Sequence, residues 1–577
     1  MSASRARLAT LQVVVPAVVA TLLLARLADA VTVYCNDDTY VYFNYARNIV
    51  AGRPLAYDSR GIRSEGFSSP LYLLMLVPFE YLGVSMMWAA IVLQISCLAA
   101  SIALATAVVA ADGLLPPALV GPFAMLLTAL LARDANVRGL LGWGLDTFLG
   151  TASLLLALLL LVLCCRTGPS ERALRARTAA FFGACGVAYL ARPDHLLPLA
   201  AAGLVLLARH PRRGLLLRQA AWFALALAGY HALKWRLIGD PFPTGYYRKF
   251  GAAGFPGAEY VAGALREYAP YLALTIVLGL ALAARDRSKG RTSWFSTSRA
   301  APATAAAVIA AMVLNLEVNP IVGHYWRFLA TPIVLLDVFL AVLLLAPLQS
   351  VAAGLESRPS LRALPLAAAS SALALAVVLV LPGRSRLIDR VEQAVSSHLY
   401  LRLGAFLRRS VPGVEGLAIA FGDAGCLPYA STARLIDTNG LTEPPIAHLF
   451  RLRDPEQRAR RFADYLLSVA PDVILEPQLA PSGDRATVPL VANPHSPLSP
   501  PSSLYVYERY REAGYRYLCT LSLYYDVHVL VSPASRFAPQ VRDALLQYAT
   551  RGHGFVLPGG VAVRSGDRQV SFEPVSP

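Results

Sequence analysis

Phe67-Ser68-Ser69-Pro70-Leu71-Tyr72-Leu73-Leu74-Met75-Leu76-Val77-Pro78-Phe79-Glu80-Tyr81-Leu82-Gly83 is the stretch whose reading decides how this chain is arranged. It is apolar, yet it is shorter than most runs around it and carries two prolines and a glutamate. Other apolar segments lie near 8–30, 86–111, 115–132, 146–165, 178–191, 195–208, 216–236, 269–284, 299–316, 326–347 and 363–382. A bilayer core takes roughly 20 helical residues to cross, and most of these runs approach that length. Composition agrees: of 577 residues 56% are hydrophobic and 15% charged, and mean hydropathy is +0.51, too apolar for an ordinary soluble protein.

Whether 67–83 crosses the membrane sets the side of everything after it. If it does not, and Arg5 and Arg7 hold the N-terminus in the cytoplasm, then Arg166, Arg172, Arg175 and Arg177, Arg209, Arg212, Arg213 and Arg218, and Arg285, Arg287, Lys289 and Arg291 all fall in cytoplasmic loops. If it crosses, all of them face outward, against the positive-inside rule. The stretch therefore reads as a re-entrant or surface-lying helix in a protein of about 11 spans, with Met1–Ala30 an uncleaved first helix rather than a signal peptide. The outer segments are then Tyr34–Glu65, Arg133–Asp146, Arg192–His195, Gly239–Tyr268, Glu317–Arg327 and the tail from Gly383. The expectation is a polytopic α-helical membrane protein of the cell's inner (cytoplasmic) membrane, with a transmembrane domain over 1–382 and an extracytoplasmic α/β domain over 383–577.

The tail changes character: β-like runs at Gly416–Phe421, Val473–Leu475 and Val527–Val531 alternate with helical ones such as Asp454–Val469. The net charge of +16 reports orientation, because many of the arginines sit in short loops between apolar runs, so no nucleic-acid partner is expected. The seven cysteines show no zinc-type spacing, and only Cys426 and Cys519 share the tail, where one bridge is conceivable in an oxidising compartment. No GxGxxG, Walker A, HExxH or GxSxG pattern stands in a fitting context, which leaves cytosolic nucleotide binding and serine hydrolysis without support.

The chemistry-bearing residues collect in the outer segments. The first holds Asp37-Asp38, followed by Tyr40, Phe43 and Arg47 at the spacing of an amphipathic helix lying on the membrane. One acid of the pair would cap that helix. The other suits a base for a sugar hydroxyl or a ligand for a divalent cation. Asp146 stands at the mouth of a span, as a cap or a site acid. In the turn Arg192-Pro193-Asp194-His195 a permanent cation at a short helix end suits a phosphate. Tyr246-Tyr247-Arg248-Lys249 and His324-Tyr325-Trp326-Arg327 add outward cations and aromatics, read either as an anion site or as interfacial anchors.

Together these elements resemble the bacterial GT-C fold glycosyltransferases that use polyprenyl-phosphate sugars, closest to the terminal arabinofuranosyltransferases of mycobacterial cell walls. The resemblance is carried by Asp37-Asp38-x-Tyr40-x-x-Phe43-x-Tyr45-Ala46-x-Asn48, Glu65-Gly66-Phe67-Ser68, Gly144-Leu145-Asp146-Thr147, Arg192-Pro193-Asp194 and Gly239 through Lys249. It extends into the tail through Gly422-Asp423-Ala424-Gly425 and Ile436-Asp437-x-x-Gly440-Leu441-Thr442. His324 departs from it, standing where an acid is usual. The resemblance implies inverting transfer from a polyprenyl monophosphate sugar to a cell-envelope glycan or lipid acceptor at the outer face, with Asp37 or Asp38 as base; given that reaction, Asp37 is the favoured base and Asp38 its supporting cap or cation ligand.

Arg192, Arg248, Lys249 and Arg327 would bind the donor phosphate; Glu65, Asp146, Asp194, His195, Tyr246, Tyr247 and His324 would bind substrate. Asp37, Asp38 and Asp146 are the candidates if a cation takes part. The tail would help to bind glycan. Two other readings stand beside this one: a glycolipid flippase, and a catalytically silent polysaccharide-binding membrane protein.

Overall fold

A computed structural model describes residues 35–58, 62–166, 170–250, 255–288, 298–318, 324–349, 388–477, 487–489, 498–523, 526–558, 560–565 and 567–575. The apolar runs expected at 8–30 and 363–382 lie outside the described residues. The first part is helical: α1 (Asp37–Val50), α2 (Pro70–Tyr81), α3 (Met86–Asp112), α4 (Pro117–Arg133), α5 (Ala135–Trp143), α6 (Thr147–Cys164), α7 (Glu171–Ala191), α8 (Leu196–Arg209), α9 (Arg213–Ile238), α10 (Thr244–Lys249), α11 (Ala258–Ser288), α12 (Ala300–Glu317) and α13 (Ala330–Leu345). Five stretches among the described residues are long and apolar enough to cross a membrane: α3, α6, α11, α12 and Trp326–Leu348, which contains α13. The pair α4 and α5 makes a sixth if the 77° bend between them lies within one span.

Five of the expected spans thus have apolar helices of spanning length, and a sixth does if the bent pair is one span. The segments expected at 178–191, 195–208 and 216–236 fall on α7, α8 and α9. Arginines and a glutamate open α7, α8 has only 14 residues, and α9 carries Arg213, Arg218, Lys234 and Arg236. Stretch 67–83 folds as α2, with Pro70 at its first position and the Ser69 hydroxyl accepting from the Tyr72 amide at 3.2 Å. Its 12 residues rise about 18 Å, well short of the roughly 30 Å of a bilayer core.

Helix α1 corrects two expectations. Its cap is Asn36, whose extended backbone and side-chain oxygen take the Asp38 amide at 2.9 Å, so both acids fall inside the first turn and neither caps. Nor does it lie on a membrane: Tyr40, Phe43 and most of its other residues are buried in protein. The periodicity was that of a helix covered on several sides.

The tail runs α14 (Ile388–Ser410), β1 (Ala418–Phe421), α15 (Cys426–Ser431), β2 (Arg434–Asp437), α16 (Pro444–Leu449), α17 (Pro455–Val469), β3 (Val473–Pro477), β4 (Thr487–Pro489), α18 (Pro500–Glu512), β5 (Arg516–Ser522), β6 (Asp526–Val531), α19 (Ala538–Tyr548), β7 (Gly554–Phe555), β8 (Val561–Ser565) and β9 (Arg568–Phe572). Six strands form one sheet in the order β2-β1-β3-β6-β5-β7, with β1 parallel to β2 and β3 and with β6 antiparallel to β3 and β5. Strands β4, β8 and β9 make a second sheet. One face of the large sheet packs with α17 and α18; the other shares a continuous apolar core with the membrane helices, in which Tyr40 and Phe43 belong with Tyr400, Phe421 and Leu427. All seven cysteines are free and buried, so the bridge considered for Cys426 and Cys519 is not formed.

One buried ion pair ties the first outer segment to α9. Glu65 meets Lys234, both nearly inaccessible, and this takes Glu65 out of the substrate-binding set expected for it. Lys234→Ala leaves a buried carboxylate without its cation, a loss of about 3–5 kcal/mol. The thermal unfolding midpoint in detergent is expected to fall, and the apolar double replacement of Glu65 and Lys234 by Leu and Met to recover most of it.

Candidate active site

Successive residues on an α-helix point about 100° apart, so adjacent acids serve different faces. On α1, Asp38 and Tyr42 share the face that lines a cavity of about 170 Å³. Asp37 shares the neighbouring face with Tyr40, Asn44 and Arg47, and that face meets the tail. The Asp37 carboxylate accepts from the Gly425 amide at 2.9 Å and the Cys426 amide at 2.6 Å. Asp37, favoured as base in the sequence, does not line the cavity, whereas Asp38 does.

The cavity draws on every outer segment expected from the sequence: Asp38 and Tyr42 from the first, Asp146 from the second, Arg192 and Asp194 from the tight turn, Phe242, Tyr246, Lys249 and Phe250 from the third, Arg327 and Phe328 from the fourth, and Leu441 from the tail. Asp38 pairs with Arg327 at 3.0 Å. Burial pushes the Asp38 carboxyl up, but Arg327, Lys249 and Arg248 together outweigh burial and hold it below the ordinary carboxylate value. Asp146 occupies the N-cap position of α6 without making a side-chain cap bond; its carboxylate instead accepts from Tyr42 at 3.3 Å and Ser68 at 3.4 Å. Burial raises it, and Arg192, Arg327 and Lys249 offset that only in part.

Three cations surround the same space. Arg192 grips Asp194 through both nitrogens of its fork, at 3.0 and 2.5 Å, which holds Asp194 far below the usual range despite burial. Lys249 lies over the Phe328 ring at 4.6 Å. Burial, then Arg327 and Arg192, push the Lys249 ammonium down to about 7, against the opposing pull of Asp38 and Asp194. The aromatic strip Phe242, Tyr246 and Phe250, with ring centroids 4.6 and 4.8 Å apart along it, forms an adjoining wall.

Several expected residues stand elsewhere. Arg248 does not line the cavity; Asp437, Asp38 and Asp423 act on its charge, and it sits 5.9 Å from the Phe450 ring. Tyr247 is buried against His448 at 4.3 Å, an interface residue between α10 and α16. His195 turns into the bundle, 3.4 Å from the Thr331 hydroxyl, and does not line the cavity. The side chain of His324 lies outside the described residues. Among the described residues no three His, Cys, Asp or Glu side chains are grouped to hold a metal, so Asp37, Asp38 and Asp146 do not assemble into the cation site considered for them.

The sequence reading missed what holds Arg327 in place. Trp326 adopts a left-handed backbone, φ 53°, which strains a bulky residue. Its indole nitrogen donates to Glu267 at 2.7 Å, and the other Glu267 oxygen takes Asn136 at 2.7 Å. The ring rests on Gly263, where a Cβ would stand 2.7 Å from it. Glu267→Ala is expected to release this strained turn and with it the seat of Arg327, read as a shift in tryptophan fluorescence in the full chain.

The comparisons agree with this architecture. ArnT from Cupriavidus metallidurans bound to undecaprenyl phosphate superposes with a TM-score of 0.51 at 14% identity, over 91% of this chain and 98% of that one. The archaeal oligosaccharyltransferase AglB from Archaeoglobus fulgidus, in complex with an inhibitory peptide and a dolichol-phosphate, gives 0.52 at 12% identity over 96% and 79%. A mycobacterial arabinofuranosyltransferase, AftD, matches at 0.47 over 91% of this chain and 41% of that one, too loose a likeness to single out an arabinose branch. The chain is a polytopic membrane protein of the GT-C fold. Within it, residues 388–531 match a family model described as a domain of unknown function (DUF8728). Comparison with curated proteins finds no match.

Proposed function

We propose that this protein is a membrane glycosyltransferase that moves a sugar from a polyprenyl monophosphate to a hydroxyl of a cell-envelope glycan or lipid, at the extracytoplasmic face of the inner membrane. The observation that carries the reading is one cavity that brings the carboxylates Asp38 and Asp146, and Asp194 in its pair with Arg192, together with Lys249 and Arg327. Cations in a water-poor site suit a phosphate that gains charge as it leaves, and a carboxylate beside them suits an incoming hydroxyl. ArnT and AglB, with bound undecaprenyl phosphate and dolichol-phosphate respectively, share the fold and support the choice of donor.

In this reading the acceptor oxygen attacks the anomeric carbon from the side opposite the phosphate. The bond from that carbon to the phosphate oxygen breaks, its electron pair leaves with the polyprenyl phosphate, and the hydroxyl proton passes to Asp38, so configuration inverts. Arg327 links the two events. It holds Asp38 at 3.0 Å, and a phosphate entering beside Lys249 and Arg192 competes for the same guanidinium. A carboxylate that loses its cation partner becomes a stronger base. Donor binding would thereby raise the basicity of Asp38 at the moment that it is needed.

The outward placement rests on the positive-inside argument for the arginine-rich connections. The test is a transfer assay on the full chain in vesicles with a panel of polyprenyl-phosphate sugars. Transfer from none of them, with lipid moved between leaflets instead, would overturn the reading in favour of a flippase.

A further inference from the structure

We propose that Asp37 is a positioning residue rather than a base: it latches the C-terminal α/β domain onto the acid-bearing helix, so that this domain forms a wall of the cavity. The inference rests on the transfer reading for its functional half only. The contacts are extensive and lie on one helical face. Besides the two amide bonds to Asp37, Asn44 donates to the Gly425 carbonyl at 3.2 Å. Arg47 donates to the Tyr429 carbonyl at 2.9 Å and covers the Tyr429 ring at 4.7 Å, and Tyr40 meets the same ring edge-on at 5.3 Å. Positions 37, 40, 44 and 47 follow the i, i+3, i+7, i+10 spacing of a single stripe.

Two further observations make the contact a latch. Gly425 approaches α1 so closely that any Cβ would collide with the Asp37 backbone carbonyl, so the loop is shaped to this one neighbour. A second tail loop enters the cavity itself: Leu441 lines it, and its carbonyl accepts from the Thr244 hydroxyl at the start of α10. Segments 424–429 and 441 therefore grip the first and third outer segments. The domain matched by the family of unknown function is, on this account, part of the catalytic chamber. A carboxylate engaged by two amide N–H groups and facing away from the cavity is badly placed to take a substrate proton, which must lie within hydrogen-bond reach of its base.

The experiment compares Asp37→Ala, Asp37→Asn and Asp38→Asn in the full chain in nanodiscs, by amide hydrogen exchange and by transfer. In Asp37→Ala the Gly425 and Cys426 amides are expected to exchange at least about 10-fold faster, as loss of charge-assisted bonds requires. In Asp38→Asn they keep the native rate. Asp37→Asn retains one acceptor oxygen and should rescue transfer to within about 10-fold of native, where loss of a base costs about 10²- to 10⁴-fold. Native exchange in Asp37→Ala would overturn the latch; so would an Asp37→Asn protein with native exchange and no transfer. If the unaltered chain transfers nothing, the exchange arms still decide the latch and only the functional reading falls.

Discussion

Asp38→Asn is expected to lower transfer by about 10²- to 10⁴-fold, the usual contribution of a positioned general base, with the protein still inserted and folded. The substitution keeps the shape of the side chain and removes its charge. Arg327, no longer held at 3.0 Å by a carboxylate, is then freer to bind the donor phosphate. The signature is a collapse of kcat with donor KM unchanged or lower, which separates a lost base from a lost binding residue. Full activity in Asp38→Asn would remove Asp38 from the chemistry. Asp146, a cavity carboxylate held by Tyr42 and Ser68 rather than by an arginine, would then be the group to replace.

Lys249→Met should weaken donor binding by about 10- to 100-fold, the worth of a charge-assisted contact in a buried site. It should also change the pH dependence. Burial and the guanidinium groups of Arg327 and Arg192 push the Lys249 ammonium down to about 7 in the empty cavity. Below that value the group is charged and attracts phosphate; above it the proton must be supplied on binding. Native donor affinity should therefore fall as pH rises through about 7, whereas in Lys249→Met the dependence contributed by this residue vanishes. Titration of the lipid phosphate on either side of neutrality reads both effects. An equal slope in the two proteins would strike Lys249 from the donor site.

Most of the cavity was legible in the sequence because span length and charge placement are local properties. Arg192, Asp194, Lys249, Arg327, Asp146 and Tyr246 all sit in segments that apolar periodicity and the positive-inside rule put on one side, and all line the cavity. What failed did so for a shared reason: the sequence marks a polar residue near a span but not the direction in which it points. Glu65 looked like a site acid and is half of a buried pair with Lys234. Tyr247 and Arg248 neighbour true cavity residues yet turn to the tail. Glu267 lies on a long helix whose pattern gave no hint that it carries the Trp326 turn.

For the acidic pair, the sequence alone determined that two carboxylates open a helix between the apolar segments of a polytopic membrane protein. Composition and period suffice for that, since they record what each residue can bury. Which acid meets the cavity depends on the rotation of α1 about its axis. That rotation is set by Tyr40, Asn44 and Arg47 against a domain nearly 400 residues further along the chain, as the Asp37–Cys426 bond spans 389 positions. Adjacent residues differ by about 100° on the helix, so only the packed tertiary structure could give Asp38 to the cavity and Asp37 to the tail.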